Sequence, residues 1–269
     1  MYCDYHTHTP LCLHAEGSAA EYAEAAKLAG LLEYGISDHA PMPREPFDDW
    51  RMKQADLPRY YEWIAEAKEA AGESLSIRAG LECDWVKGGE SWTEQLRGCY
   101  EWDYLIGSVH YLDGLKEFDN PFRMSFWENT RVEDAWAMYW QLFTEMAASG
   151  QFHILGHADL IKKFGFRPSG DLRRYYEPAI QAMLDAKATL ELNTAGWYNK
   201  CAEQYPADEF LQMAAQAGIP LTISSDAHKP EHVARDFSKA AQLAKNLGFK
   251  ELVRYCKGER TLYPLQTQD

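Results

Sequence analysis

Six short segments, spread from residue 6 to residue 228, carry His, Asp or Glu where apolar strand-like runs end. They are His6-Thr7-His8, Ser37-Asp38-His39, Gly80-Leu81-Glu82, Ser108-Val109-His110, Gly156-His157-Ala158-Asp159 and Ser225-Asp226-Ala227-His228, and His14 follows closely behind the first. Imidazole and carboxylate groups together suit zinc, manganese or iron, and a set this large suits more than one ion. A site with several metal ions at strand ends indicates hydrolysis, most simply of a phosphate ester.

The order of apolar runs predicts the fold that brings these segments together. Strand-like runs cover residues 2–6, 33–37, 75–82, 104–109, 152–156, 189–193 and 221–224, and helical patterns cover 19–29, 57–71, 132–148, 172–186, 207–217 and 230–247. Such alternation favours a parallel sheet. Because ligands from the first and last strands must meet, a closed barrel with its site at the carboxyl ends of the strands is favoured over an open sheet. Residues 40–56 and 111–130 are predicted to be long loops over the barrel mouth.

The chain is acidic, with a formal net charge of -14. This argues against a nucleic-acid-binding surface, but not against a small phosphorylated substrate held by metal ions. The six cysteines form no C-x-x-C pair, which is typical of reduced, buried thiols. The most apolar helical run, around residues 135–148, is interrupted by polar residues, and no secretory signal precedes the first strand. We therefore expect a cytoplasmic protein, with no membrane partner, that forms a single domain over residues 1–269.

Residue spacing supports the metal interpretation at both ends of the chain. His6 and His8 are two apart at the end of a predicted strand, so both side chains lie on one face. Asp226 and His228 repeat this arrangement at the last predicted strand. One such pair is a weak signal, but two pairs with further candidates between them indicate a common metal site.

At the other strand ends, single residues taken together support the same metal interpretation. Glu82 ends the predicted central strand, where a buried carboxylate is costly unless it bridges metal ions or pairs with Arg78. The histidines of this set, each of which alone is more often an ordinary core or loop residue, are His39, His110 and His157. His153 is interpreted as structural, and His232 as a surface residue at the start of the last predicted helix. Three nearby aspartates either orient ligands or cap turns, and both interpretations stay open; they are Asp38, Asp84 and Asp159.

These segments resemble the polymerase and histidinol phosphatase (PHP) superfamily and, within it, the stand-alone histidinol-phosphate phosphatases. The similarity covers nearly the whole chain and is carried by Asp4-Tyr5-His6-Thr7-His8-Thr9, Ser37-Asp38-His39, Gly80-Leu81-Glu82, Gly107-Ser108-Val109-His110-Tyr111, Gly156-His157-Ala158-Asp159-Leu160-Ile161-Lys162-Lys163, Glu191-Leu192-Asn193-Thr194-Ala195-Gly196 and Ser225-Asp226-Ala227-His228. The first and last segments are marks of the superfamily, whereas the segments around His110, His157 and Asn193 resemble the phosphatase branch.

The resemblance implies a distorted (β/α)7 barrel with three divalent metal ions, which would be zinc, manganese or iron. It implies a first ion held by His6, His8, Glu82 and Asp226. It implies a second ion held by Glu82, His110 and His157, with Glu82 bridging the two. It implies a third ion held by His14, His39 and His228. Each of these positions carries the residue type that the family requires.

The chain departs from the family at two positions expected to contact the phosphate of the substrate. Tyr198 stands where the phosphatase branch often has an arginine, and Lys163 replaces a second arginine. Lysine still binds phosphate, although as a point charge rather than a fork. Arg167 and Lys200 are further candidates for this contact.

The resemblance predicts a metal-dependent phosphomonoesterase that hydrolyses L-histidinol phosphate, a step of histidine biosynthesis, through a metal-bridging hydroxide. Glu82, Asp226 and His228 are the candidate catalytic residues, and either of the last two could protonate the leaving alkoxide. One alternative is a phosphodiesterase or phosphatase that acts on nucleotides or another small phosphoester. A second alternative is a non-catalytic metal-binding module. Metal identity and oligomeric state stay open.

Overall fold

The computed structural model describes residues 1–112 and 114–267. Asp113, in the predicted loop 111–130, and the last two residues of the predicted domain lie outside the described residues. The strands are β1 Cys3–Asp4, β2 Glu33–Ile36, β3 Ser76–Ala79, β4 Glu82–Asp84, β5 Ile106–Ser108, β6 Tyr111–Leu112, β7 Lys116–Glu117, β8 Ile154–Leu155, β9 Thr189–Asn193, β10 Leu221–Ser224, β11 Glu251–Cys256 and β12 Glu259–Pro264. The α-helices are α1 Ala19–Leu28, α2 Leu57–Ala71, α3 Glu90–Gly98, α4 Ser125–Asn129, α5 Val132–Ala148, α6 Arg173–Ala186, α7 Asp208–Ala217 and α8 Phe237–Leu247.

Two parallel sheets, in the orders β1-β2-β3 and β10-β9-β8-β5-β4, together form the barrel. One seam between them is a single parallel bridge from Thr7 to Ala227, and the other is a single bridge from His39 to Glu82. If β3 and β4 are counted as one interrupted strand, seven strands follow one another in chain order. The predicted α/β class with parallel strands is confirmed, and the distortion lies at the two seams, where single bridges replace continuous ladders.

The predicted strand 75–82 is interrupted at Gly80 and Leu81, so the prediction of one continuous strand was wrong. A Cβ atom on Gly80 would lie 2.5 Å from ring atoms of Tyr104, whose hydroxyl donates to the Tyr5 carbonyl at 2.6 Å. Only glycine leaves room for this ring at the point where the chain moves between the sheets. As a result Glu82 begins β4 rather than ending β3.

Helices cover the outside of the barrel and bury their apolar faces against it. Ser18 and Glu21 form the capping box that begins α1. The predicted helix 230–247 begins only at Phe237, because Ala234 and Asp236 have positive φ angles of 56° and 60°. The Ala234 amide donates instead to the Asp4 carboxylate at 3.0 Å, which ties this segment to β1. The helix α3 was absent from the sequence prediction.

A carboxyl-terminal hairpin, β11–β12, closes the amino-terminal end of the barrel. The hairpin was also absent from the prediction, which ended at residue 247. Arg254 reaches the buried Glu33 at 2.6 Å, and the Tyr255 amide donates to the Tyr5 hydroxyl at 3.1 Å. The side chains of Val253 and Tyr255 pack in the apolar core of the barrel. Because this end is sealed, the carboxyl ends of the strands form the accessible mouth.

Segments 40–56 and 111–130 lie over that mouth, as predicted, but the second is not a plain loop. It contains the β6–β7 hairpin and the short helix α4. The first is anchored by the buried Arg51, which contacts Asp48 and Asp84 at 2.6 Å each and donates to the Ala40 carbonyl at 3.0 Å. Among the described helices, none has both the length and the apolarity that a membrane span would need.

Candidate metal centre

The carboxyl ends of the parallel strands bring the predicted ligands together at the barrel mouth. Most of these ligands lie shortly after a strand, as His39 does after β2, His110 after β5 and His157 after β8, whereas Glu82 begins β4 and β9 contributes none. Parallel strands present their carboxyl ends at one side of a barrel, so residues far apart in sequence become neighbours there. The His8 ring lies 4.0 Å from that of His228 and 4.2 Å from that of His39, measured between ring centroids.

Glu82 lies at the centre of the cluster and presents its two oxygens to different histidines. Its Oε2 is 2.7 Å from His39 Nδ1 and 3.4 Å from His6 Nε2. Its Oε1 is 2.9 Å from His157 Nε2 and 3.7 Å from His110 Nε2. A carboxylate that faces two separate sets of imidazoles is placed to bridge two cations.

Asp226 and the remaining histidines extend the cluster. Asp226 Oδ1 lies 3.0 Å from His8 Nε2 and 3.8 Å from His6 Nε2. Donor atoms that lie within 4.8 Å of one another fall into several groups, which are His6/His8/Asp226, His6/Glu82/His157, His8/His39/His228, Cys12/His14/His228 and His8/Cys12/Asp38. His14 lies beside His228 and Cys12 in these groups, and its ring is also stacked on that of His39 at a centroid distance of 5.5 Å. The thiol of Cys12 was not among the predicted ligands.

Several buried polar atoms of the cluster have no hydrogen-bond partner, and these atoms test whether the residues suit a metal. They are His6 Nε2, His39 Nδ1, Glu82 Oε2, His157 Nδ1 and His228 Nε2, and the 2.7 Å approach of His39 Nδ1 to Glu82 Oε2 lacks the angles of a hydrogen bond. An unsatisfied buried polar atom costs about 1–3 kcal/mol, so five together would be a large penalty. Cations bound among them would satisfy these lone pairs. The residues present thus suit divalent metal ions.

Carboxylates behind the cluster hold the rings of two predicted ligands by their second nitrogen. Asp84 Oδ1 lies 2.7 Å from His110 Nδ1, and Asp38 Oδ1 lies 3.3 Å from His8 Nδ1. Of the three aspartates whose role was open, these two contact predicted ligands. Asp159 instead pairs with the buried Lys162 at 2.9 Å. Such contacts select the ring tautomer and orient the free nitrogen toward a metal.

Glu191, in β9, is a further carboxylate that holds the ring of a predicted ligand, and sequence reasoning missed it. It is fully buried, and its Oε1 lies 2.7 Å from His6 Nδ1. Its Oε2 accepts from the His157 amide at 2.6 Å and from Asn193 Nδ2 at 3.2 Å. The available signal was a charged residue inside the apolar run Leu190-Glu191-Leu192.

Burial and the contacts between acidic and basic side chains shift the pKa values of the cluster in opposite directions. Burial alone would raise the pKa of Glu82, but the charges of His6 and His39 outweigh it and hold this pKa well below its usual range. Asp226 behaves in the same way. Burial, with the nearby His8, lowers the pKa of His228 well below its usual value. Ionised carboxylates and neutral imidazoles are the forms that bind metal. Burial alone would lower the pKa of His8 and of His110, but nearby carboxylates outweigh it and raise both to about 9, so a metal ion would displace a proton from each of these two rings.

The cluster forms the base of a cavity of about 550 Å³ that opens at the barrel mouth. Trp50, from segment 40–56, lies across the cluster with its ring nearly perpendicular to that of His39, at a centroid distance of 4.7 Å. The other apolar walls come from Pro121, Phe122, Leu160, Ala195 and Tyr205. The charged walls outside the cluster come from Asp49, Asp119, Arg123 and Lys163.

The fold does not bring the four residues predicted to bind substrate together at the cavity. Lys163 lines the cavity, whereas the other three are not among its lining residues. Arg167 forms an ion pair with Glu203, and Lys200 is exposed. Tyr198 is 59% exposed and donates to Asp236 at 2.6 Å. Their contacts with substrate stay predictions.

Comparisons with known proteins agree with this geometry. The chain matches the family model of the PHP domain over residues 4–195. It is 41% identical to a probable histidinol-phosphatase of Deinococcus radiodurans, over 91% of this chain and 94% of that protein, and 29% identical to the histidinol-phosphatase of Bacillus subtilis, over 84% and 93%. The crystal structure of histidinol phosphate phosphatase from Lactococcus lactis, complexed with zinc, L-histidinol and phosphate, shares the fold with a TM-score of 0.83 at 22% identity, over 97% of this chain and 98% of that one. This chain therefore belongs to the PHP domain family.

Proposed function

We propose that this chain is a metal-dependent phosphomonoesterase that hydrolyses L-histidinol phosphate to L-histidinol and phosphate. The observation that carries the proposal is the position of Glu82, between two sets of histidines at the base of an open cavity. Support for the substrate comes from the histidinol-phosphatase names of relatives that match this chain over most of its length. The Lactococcus lactis protein was crystallised with zinc and with both products of that reaction.

The proposed centre contains three divalent ions, and the binding sets follow the family pattern. The first set is His6, His8, Glu82 and Asp226, the second is Glu82, His110 and His157, and the third is His14, His39 and His228. Divalent ions bound in this way would neutralise charge on the phosphate and make water a better nucleophile. Zinc, manganese and iron all suit these nitrogen and oxygen donors.

The side chains of the cavity would bind, orient and shield the substrate. Lys163, whose side chain is 22% exposed at the cavity wall, would neutralise charge on the phosphate. Trp50 would exclude water from the metal end. We propose that Asp226 or His228, which both line the cavity, relays a proton from water to the leaving alkoxide, because their low pKa values keep Asp226 ionised and His228 neutral. The Asn193 amide donates to Asp226 Oδ2 at 3.2 Å and so orients that carboxylate.

The test is phosphate release by protein of measured metal content, with L-histidinol phosphate beside a panel of other monoesters and one diester. We expect the highest kcat/KM for L-histidinol phosphate and no activity after chelation. A profile that is flat across the monoesters, or that favours the diester, would contradict the proposed substrate while leaving the metal centre in place. Restored activity after metal addition is the control for irreversible unfolding.

A further inference from the structure

The charged side chains of the cavity wall form two ion pairs of different character. Arg123 lies 2.8 Å from Asp49 and 2.7 Å from Glu117, and the Asp49 side chain is 72% exposed. The hydrated pair of Arg123 with Asp49 contributes little free energy, unlike the contact of Arg123 with Glu117, whose side chain is only 6% exposed. Lys163 Nζ lies 3.2 Å from Asp119 Oδ2, and these side chains are only 22% and 15% exposed. The inner pair therefore lies where a bound substrate would replace water.

Lys163 cannot pair fully with both Asp119 and the substrate phosphate, so binding the phosphate weakens its ion pair with Asp119. A monoester bound by the metal centre brings a phosphate dianion to the same cavity that Lys163 lines. When Lys163 turns toward that phosphate, the carboxylate of Asp119 loses its cation in a largely dry position. Such a carboxylate is destabilised unless another cation replaces the first.

The substrate can supply the replacement. In L-histidinol phosphate the carbon that bears the ammonium group is bonded directly to the carbon that bears the phosphate oxygen. Its negative and positive groups are thus side by side, as are the positive Lys163 and the negative Asp119. An alcohol without an ammonium group would leave the Asp119 charge uncompensated, which is a repulsive element against the wrong substrate.

We propose that Asp119 is a specificity-determining residue that binds the ammonium group of the substrate, so that the cavity selects phosphate monoesters of amino alcohols. The inference rests on the proposed function, because it assumes a phosphomonoester bound at the metal centre. The ammonium group takes no part in making or breaking the bonds to phosphorus, so its contact with Asp119 contributes to substrate binding more than to the chemical step.

The test compares L-histidinol phosphate with the analogue in which hydrogen replaces its amino group. In Asp119→Asn, kcat/KM for L-histidinol phosphate should fall about 10- to 100-fold, mainly through KM, as expected for the loss of a charged hydrogen bond. The value for the analogue should stay the same or rise, because Lys163 is released from its partner. Asp119→Glu retains the charge and should retain the preference for the amine.

The matched control is Asp49→Asn, which removes the acidic group of the exposed pair and should leave the ratio between the two substrates as in the wild type. Metal content and thermal unfolding of each variant separate a binding effect from misfolding. Equal losses on both substrates in Asp119→Asn, or no loss on either, would overturn the inference.

A wild-type protein that does not hydrolyse L-histidinol phosphate would contradict the proposed function, and a second matched pair then tests Asp119 separately. This pair is O-phosphoethanolamine and ethyl phosphate. A wild-type preference for the amine that disappears in Asp119→Asn would support the inference, and the absence of a preference would overturn it.

Discussion

Glu191 is predicted to support metal binding without contacting the metal. Three N–H donors converge on its carboxylate, from His6 Nδ1, the His157 amide and Asn193 Nδ2. In Glu191→Gln the side chain has one oxygen left as an acceptor, and its amide nitrogen faces at least one of these donors. A buried donor left without an acceptor costs about 1–3 kcal/mol.

The expected consequence is weaker metal binding, because the His6 ring loses the contact that orients it. Loss of such a contact typically lowers metal affinity by about 10- to 100-fold, which corresponds to roughly 1.4–2.7 kcal/mol. The assay is a zinc titration in competition with a chromogenic chelator, together with urea unfolding of the chelated protein. The unfolding free energy of the chelated variant should also fall, by about 1–3 kcal/mol.

Glu33→Gln is the matched control, since Glu33 is also a buried carboxylate on a parallel strand. It contacts Arg78 and Arg254 at 2.6 Å each, at the sealed end of the barrel. This variant should lose stability but bind zinc as the wild type does. If Glu191→Gln kept wild-type zinc affinity, or if Glu33→Gln lost as much, the assigned role of Glu191 would be refuted.

Three further predictions concern phosphate binding, pH dependence and the candidate proton donor. Lys163→Ala should lower kcat/KM for L-histidinol phosphate by about 10- to 100-fold, whereas Lys200→Ala should not, because Lys163 lines the cavity and Lys200 does not; equal losses in the two variants would contradict this. Burial and the nearby Arg97 lower the pKa of His153 to about 4. The unfolded chain binds this proton near pH ~6.5, so the folded state should lose roughly 3 kcal/mol of stability as the pH falls from ~6.5 to ~4. Urea unfolding of chelated His153→Gln over that range should lack this loss, and an identical pH profile would contradict the assignment. Asp226→Asn should lose both activity and metal, and full retention of both in metal analysis and phosphate-release assays would contradict its proposed roles.

The segments that carry the ligands were recognisable from sequence because each side chain directly follows or begins a short apolar run. Parallel strands place such positions at one end of the barrel, so the fold class and the convergence of His6, Glu82 and Asp226 were both predictable. The close neighbours of His14 were not predictable in this way. His14 lies beside Cys12 and His228, since the turn that follows Pro10–Cys12 directs its ring, and no sequence period describes such a turn.

Residues outside regular elements were the hardest to place. Lys163, Arg167, Lys200 and Tyr198 lie in or next to short turns after β8 and β9, yet Lys163 alone among them lines the cavity. Periods of two or 3.6 residues predict the direction of a side chain in a strand or helix, but a turn has no such period. The substrate contacts of these residues therefore could not be assigned from spacing.

Residue type and spacing alone were enough to predict an α/β fold and a metal centre built from His, Asp and Glu, and the resemblance of the motifs indicated the family to which the chain belongs. They were enough because ligand chemistry and strand periodicity are local properties. The remaining features depend on contacts between residues far apart in sequence. The folded chain alone decides that Glu191 holds His6, that a carboxyl-terminal hairpin seals the opposite end, and that Asp119 faces Lys163 across the cavity wall.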